Sequence, residues 1–167
     1  MDLTPQERNR MPDIVSELLA QPIDRLNLTD FCMVTTDTSV RETVERMQVM
    51  RQNIALVIGK GTHLVGVLTD RDVLQRVVNS PEHWEQPVTA VMTPEPQSLL
   101  PQATAAEALR LMEGGDYRNV PVVNENGVVR GCVTYYAILK FLADHFSQTV
   151  YNLPSDPTNF AQNREGG

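Results

Sequence analysis

The chain has 167 residues, 41% apolar and 21% charged, which suits one compact domain or two small ones sharing a core and excludes disorder of the whole. Against 21 acidic side chains stand 14 Lys and Arg, and the net charge of −7 argues against a nucleic-acid binder, which normally carries a basic face. Cys32 and Cys132 are the two cysteines and neither sits in a CxxC pair, so a disulfide scaffold is excluded and a cysteine zinc site nearly so.

In chain order, residues 1–21 form an N-terminal segment. Its first residues have no apolar run, and a short helix is predicted over Pro12–Ala20, with Ile14, Leu18 and Leu19 on one side. Residues 22–80 hold the first unit. It opens with a strand, Phe31–Thr35, and a helix from Ser39 to about Met50, where Ser39 and Glu42 have capping-box spacing. Strands Ala55–Ile58 and Leu64–Thr69 flank the hairpin signal Gly59–Thr62, and a closing helix runs from about Asp70 to Asn79. Residues 81–146 comprise a linker and a second unit. A strand is expected around Ser98–Leu100, then a helix Thr104–Met112 with the Thr104/Glu107 box and a stop at Gly114-Gly115. Strands Val120–Val123 and Val128–Thr134 follow, and a helix from Tyr135 to Phe146. Residues 147–167, rich in Asn, Pro and Gln, are read as an extended or partly disordered tail.

The two units are copies. Gly66–Leu74 aligns with Gly131–Leu139 at an offset of 65 residues (131 − 66), and the same offset pairs Glu42 with Glu107, Val44 with Leu109 and Met47 with Met112. Asn53–Val57 aligns with Asn119–Val123 at 66 (119 − 53), a slip assigned to loop length. Each copy reads β-α-β-β-α, an α/β fold.

Thr69-x-x-Asp72 admits two readings. It is a capping box at a helix start, worth about 1 kcal/mol. It is equally a carboxylate placed to accept hydrogen bonds from vicinal ribose hydroxyls, with Thr69 adding a hydroxyl contact beside N–H groups that favour phosphate. The second copy has Thr134 but Ala137, so that helix starts without the carboxylate. Arg71 and Arg118 are candidate cations whose plain alternative is solvated surface. Gly59–Thr62 lacks phosphate-loop spacing, the three histidines share no ligand spacing, and no carboxylate pair supports acid–base chemistry. Neither catalysis nor a required cofactor or metal is expected.

The segments Gly66-Val67-Leu68-Thr69-Asp70-Arg71-Asp72, Asn119-Val120-Pro121-Val122-Val123 and Val91-Met92-Thr93-Pro94, in this order and repeated, resemble the CBS domain family. The resemblance covers roughly Pro22–Phe146. It implies two tandem repeats related by a pseudo-two-fold axis, a regulatory module binding AMP, ADP or ATP (alternatively S-adenosylmethionine or NAD), and a disc-like homodimer. It also implies that the Asp of one repeat faces the strand edges of the other. By that correspondence the ligand site comprises Thr69, Arg71 and Asp72 with Thr89, Val91 and Met92 from the entry to the second copy, and Arg118, Asn119 and Val120 before its central strand. Arg118 would take the phosphate, and Val91 and Val120 would sandwich the adenine. A mirror site at Thr134, with Gln52, Asn53 and Ile54, would be weak or empty. The rival readings are a ligand-free dimerisation module and a nucleotide-processing enzyme. The expected setting is cytoplasmic, with no nucleic-acid or membrane partner, and output through an effector protein not identifiable from sequence.

Overall fold

The computed structural model describes residues 13–151, with side chains to residue 145. A helix over 13–19 (α1) leads through a 3-10 turn, Ile23–Arg25, into the first unit. That unit comprises β1 (Cys32–Thr35), α2 (Val40–Met50), β2 (Ile54–Ile58), β3 (Leu64–Thr69) and a helix that starts as α3 (Asp70–Asp72) and continues as a π-turn, Val73–Val77. The second contains β4 (Thr93–Pro94), α4 (Ala105–Gly115), β5 (Asn119–Val123), β6 (Val129–Thr134) and α5 (Tyr135–Tyr151). One sheet has the order β1-β2-β3-β4 and the other β5-β6. β1 runs parallel to β2, and both hairpins are antiparallel. The mixed α/β fold of two repeats is thus present.

The helix starts follow local chemistry. Ser39 Oγ accepts from Glu42 N (3.2 Å), while the Glu42 carboxylate pairs with Arg46, so only half of that capping box forms. Thr104 and Glu107 make the full box, and these hydrogen bonds hold the Glu107 carboxyl below its ordinary range.

Side-chain alternation builds three cores. Ala55 and Val57 on one face of β2 join Val34, Val40 and Met47 in the first core. Val120 and Val122 on β5 join Ala108, Met112 and Ile138 in the second. Ile54 and Leu56, on the opposite face of β2, meet Val67 and Cys132 in a third core between the repeats. With both faces covered, β2 is a continuous apolar strand.

Four sequence expectations need correction. Ile54 pairs with Thr69 and Asn119 with Thr134, so the strands keep the constant offset of 65 (119 − 54) and the slip to 66 is absent. Shared Asn-x-x-x-Val identities pointed one residue astray; Asn53 corresponds to Arg118, and each backbone carbonyl accepts from the residue opening the next helix, Asp70 N (3.1 Å) and Tyr135 N (2.9 Å). The strand expected around Ser98–Leu100 shrinks to a single parallel bridge, Leu99 to Val122, because prolines 94, 96 and 101 remove donors on either side. Gly114-Gly115 do not stop α4. They remain helical, and the helix ends at Asp116 in the left-handed region (φ 54°), with the Tyr117 ring lying where a Cβ on Gly115 would be. Finally, α5 continues to Tyr151, so residues 147–151 are helical rather than extended, since no Gly or Pro intervenes before Pro154. The rest of the expected tail lies outside the described residues.

The repeats also exchange their leading segments. Ile23 and Leu26 complete the second core, and Val88 and Val91 complete the first. The exchange is symmetric: Pro22 bridges Thr104 as Pro87 bridges Ser39, and Ile23 N donates to Ala103 O (2.8 Å) as Val88 N donates to Thr38 O (2.8 Å). Boundaries at 22–80 and 81–146 therefore divide the chain but not its cores.

Candidate functional site

The junction of β3 and α3 places Asp72 at the wall of a cleft of about 350 Å³ between the repeats. Thr69 N–H and the Thr69 hydroxyl both donate to Asp72 Oδ2 (2.9 and 2.7 Å). Asp72 Oδ1 faces Arg76 at 3.4 Å, and Arg76 also donates to Val91 O (2.8 Å). Asp72 is only 8% exposed, an unusual placement for a carboxylate. The π-turn that follows falls immediately after it, a distortion often found beside functional sites.

The other walls are largely apolar. Ile54 and Val67 come from the inter-repeat core, Pro121 from β5, and exposed Leu74 from the π-turn. The second repeat closes the cleft with Asp116, Tyr117, Arg118 and Asn119. Arg71 reaches across to donate to Asp116 Oδ2 (2.9 Å) and Asp116 O (3.1 Å), so the first repeat's cation is tied to the second repeat's helix end. Arg118 is exposed and has no ion pair among the described residues. A cleft with apolar walls at Ile54, Val67 and Pro121, a buried carboxylate from the first repeat and, from the second, a guanidinium with no ion pair among the described residues suits a ligand with a flat apolar part, hydroxyls and an anion.

Of the residues singled out from sequence, Thr69, Arg71, Asp72, Arg118 and Asn119 line this cleft. Thr89, Val91, Met92 and Val120 do not. Val91 and Val120 are buried in the first and second cores, so their side chains face those cores and not this cleft. Met92 packs into the first core, with its sulfur where a Cβ on Gly66 would be, and Thr89 sits exposed on a 3-10 turn. The corrected register explains Val120: its neighbours on the strand, Asn119 and Pro121, are the residues that face the cleft. The site residues named from sequence did not include Pro121, Asp116 or Tyr117, all of which line the cleft; strand parity would have given the first. Asp116 and Tyr117, just past the helix, carried no motif.

A second cleft, of about 380 Å³, takes in Thr134, Tyr135, Tyr136, Gln52 and Asn53, with Asp30 and Arg51. Thr134 Oγ1 accepts from Ala137 N (2.9 Å), so this cap forms without the carboxylate. Arg118 and Asn119 line both clefts.

Among the described residues, no group of three or more His, Cys, Asp or Glu could hold a metal, and no helix is long and apolar enough to cross a membrane. Cys132 lies in the inter-repeat core, and burial pushes its thiol up to about 12; burial raises Cys32 too, so neither is an activated thiol.

Comparison with known proteins adds the family. Residues 23–79 and 88–144 each match the CBS domain. The Arabidopsis thaliana CBS domain-containing protein CBSCBSPB1 is 37% identical over 108 residues, 64% of this chain and 20% of that protein. The chain therefore spans about a fifth of the length of that curated relative. Among solved structures, CBSX2 in complex with AMP superposes with a TM-score of 0.66 at 23% identity, covering 75% of this chain and 98% of that one. An uncharacterized conserved protein from Pyrococcus horikoshii gives 0.66 at 24% identity, covering 73% and 92%.

Proposed function

The chain belongs to the CBS domain family as a tandem pair, a regulatory module, and from that premise we propose that it senses an adenine nucleotide (AMP, ADP or ATP) bound between its repeats. Asp72 accepts the ribose hydroxyls, Thr69 assists it, and Arg118 takes the phosphate with Arg71 in reserve. The adenine lies against Ile54, Val67 and Pro121. The observation that carries this reading is the buried Asp72 carboxylate in a cleft between the repeats that Arg118, without an ion pair among the described residues, also lines. The helix start does not require a carboxylate there, since Thr134 caps its helix over Ala137. The AMP held by CBSX2, a protein of the same fold, supports the ligand class.

Ligand binding works as a sensor when it favours one arrangement of the repeats, and it shifts the equilibrium only by its differential affinity for the two states. Output then passes to a separate effector protein, from a homodimer paired through α4 and α5. The stronger site is the Asp72 cleft. The second cleft has Ala137 for Asp72 and Asn53 for Arg118, so it offers the ribose no carboxylate at the helix start, only the Thr134 hydroxyl. Calorimetric titration with AMP, ADP and ATP, and with S-adenosylmethionine and NAD as alternatives, is expected to give about one strong site per chain. Binding of none of them sinks the sensor reading and leaves an interaction module.

A further inference from the structure

We infer that Asp116 is a specificity-determining residue that sets how many phosphates the Asp72 cleft accepts, favouring a nucleoside monophosphate over a triphosphate. The inference rests on the nucleotide reading above and deepens it. Five formal charges line the cleft: Asp70, Asp72 and Asp116 against Arg71 and Arg118. Asp72 is held by Thr69 and Arg76, and Asp116 takes Arg71 through two contacts. Arg118 is left as the unpaired cation of the lining, enough for one phosphate group. Further phosphates would have to recruit Arg71 from its carboxylate partner and lie near that partner's charge.

The fold does not demand a carboxylate at Asp116. The residue ends α4 in the left-handed conformation, and its counterpart Arg51 makes the same turn at the end of α2 (φ 54° and 55°). The turn accepts either sign of charge, so the negative one on the Asp72 cleft has its effect on what enters. Asp116 is 88% exposed, so water and salt screen it, and the effect is a bias between ligands rather than a barrier.

The test is calorimetry with AMP and ATP in EDTA, so that the triphosphate keeps its full charge. The proteins are wild type, Asp116→Asn, Asp116→Arg and the double variant Arg71→Gln/Asp116→Asn. Asn is among the residues best suited to a left-handed position, so melting temperatures should stay close to wild type. Wild type should prefer AMP. Asp116→Asn should reduce the AMP-over-ATP ratio about three- to tenfold, and Asp116→Arg further, chiefly through tighter ATP. The double variant should lose that gain. A ratio unmoved in both single variants, a wild type that prefers ATP, or a gain that survives the loss of Arg71 overturns the inference while nucleotide binding stands. Absence of binding to every protein overturns the nucleotide reading and this inference with it.

Discussion

Asp72→Ala and Asp72→Asn together separate the two jobs of one carboxylate. As a cap, Asp72 satisfies Thr69 N–H and the Thr69 hydroxyl (2.9 and 2.7 Å), an arrangement worth about 1 kcal/mol. Its contact with Arg76 is long, at 3.4 Å, and Arg76 is half exposed, so screening leaves it a few tenths of a kcal/mol at most. Asp72→Ala should therefore cost about 1–1.5 kcal/mol, a fall in Tm of roughly 2–6 °C for a chain of this size. Asp72→Asn keeps an acceptor for the Thr69 N–H and should cost less than half of that. Against nucleotide the ordering changes. Both variants remove a charged acceptor, and hydrogen bonds to charged groups are worth about 1.5–3 kcal/mol, so both should lose about one to two orders of magnitude in affinity. Thermal denaturation and calorimetry with AMP on the three proteins measure the two effects. If Asp72→Asn binds as wild type does while Asp72→Ala is merely less stable, the carboxylate is a cap and the site assignment fails.

Three further outcomes follow from the packing. A Cβ on Gly131 would lie 2.8 Å from Leu28 O and 2.5 Å from Leu28 Cβ, whereas on Gly66 its three nearest atoms all belong to the flexible Met92 side chain; Gly131→Ala should cost about 2–3 kcal/mol in chemical denaturation and Gly66→Ala clearly less, and equal costs would contradict the exchanged-segment packing. Cys132 keeps its proton to about pH 12 in the folded chain but releases it near 9 when unfolded, so the folded state binds more protons between those values and stability should fall with pH across that window; the fall should be shallower in Cys132→Ser. Leu139 on α5 is 47% exposed beside exposed Tyr135, an apolar face that pairing of two modules would cover; light scattering should give the mass of two chains, and the mass of one would rule out the dimer.

Signals local to a few residues were legible in the sequence. Ser39, Thr69 and Thr104 mark helix starts because a hydroxyl accepts a backbone N–H within one turn, and all three do so. Both hairpins stand where apolar runs flank short polar turns. Matters that depend on parity or on distant chain were not legible. A one-residue error in aligning Asn53 with Asn119 turns every side chain of the strand to its other face, and strand parity likewise separates Val120, which the family correspondence named and which points into the second core, from Asn119 and Pro121, which line the cleft. Thr89, Val91 and Met92 adjoin the cleft in sequence, but the exchange of leading segments draws Val91 and Met92 into the first core.

That exchange is also what ties the site to the rest of the molecule. Asp72 meets Arg76, and Arg76 donates to the carbonyls of Val91 (2.8 Å) and Met92 (3.3 Å), in the segment that links the repeats and completes the first core. Across the cleft, Arg71 holds the end of α4, whose buried face belongs to the second core. A ligand that drew on Asp72 and on either arginine would act on contacts that set one repeat against the other, with no need for a separate relay. The second cleft lacks the counterpart of this chain at its helix start, because Ala137 stands where Asp72 would be and offers no charge to a neighbouring arginine. The two clefts therefore share walls at Arg118 and Asn119 but differ in their contacts with the rest of the molecule, and a ligand in the Asp72 cleft would draw on side chains that touch the segments completing both cores.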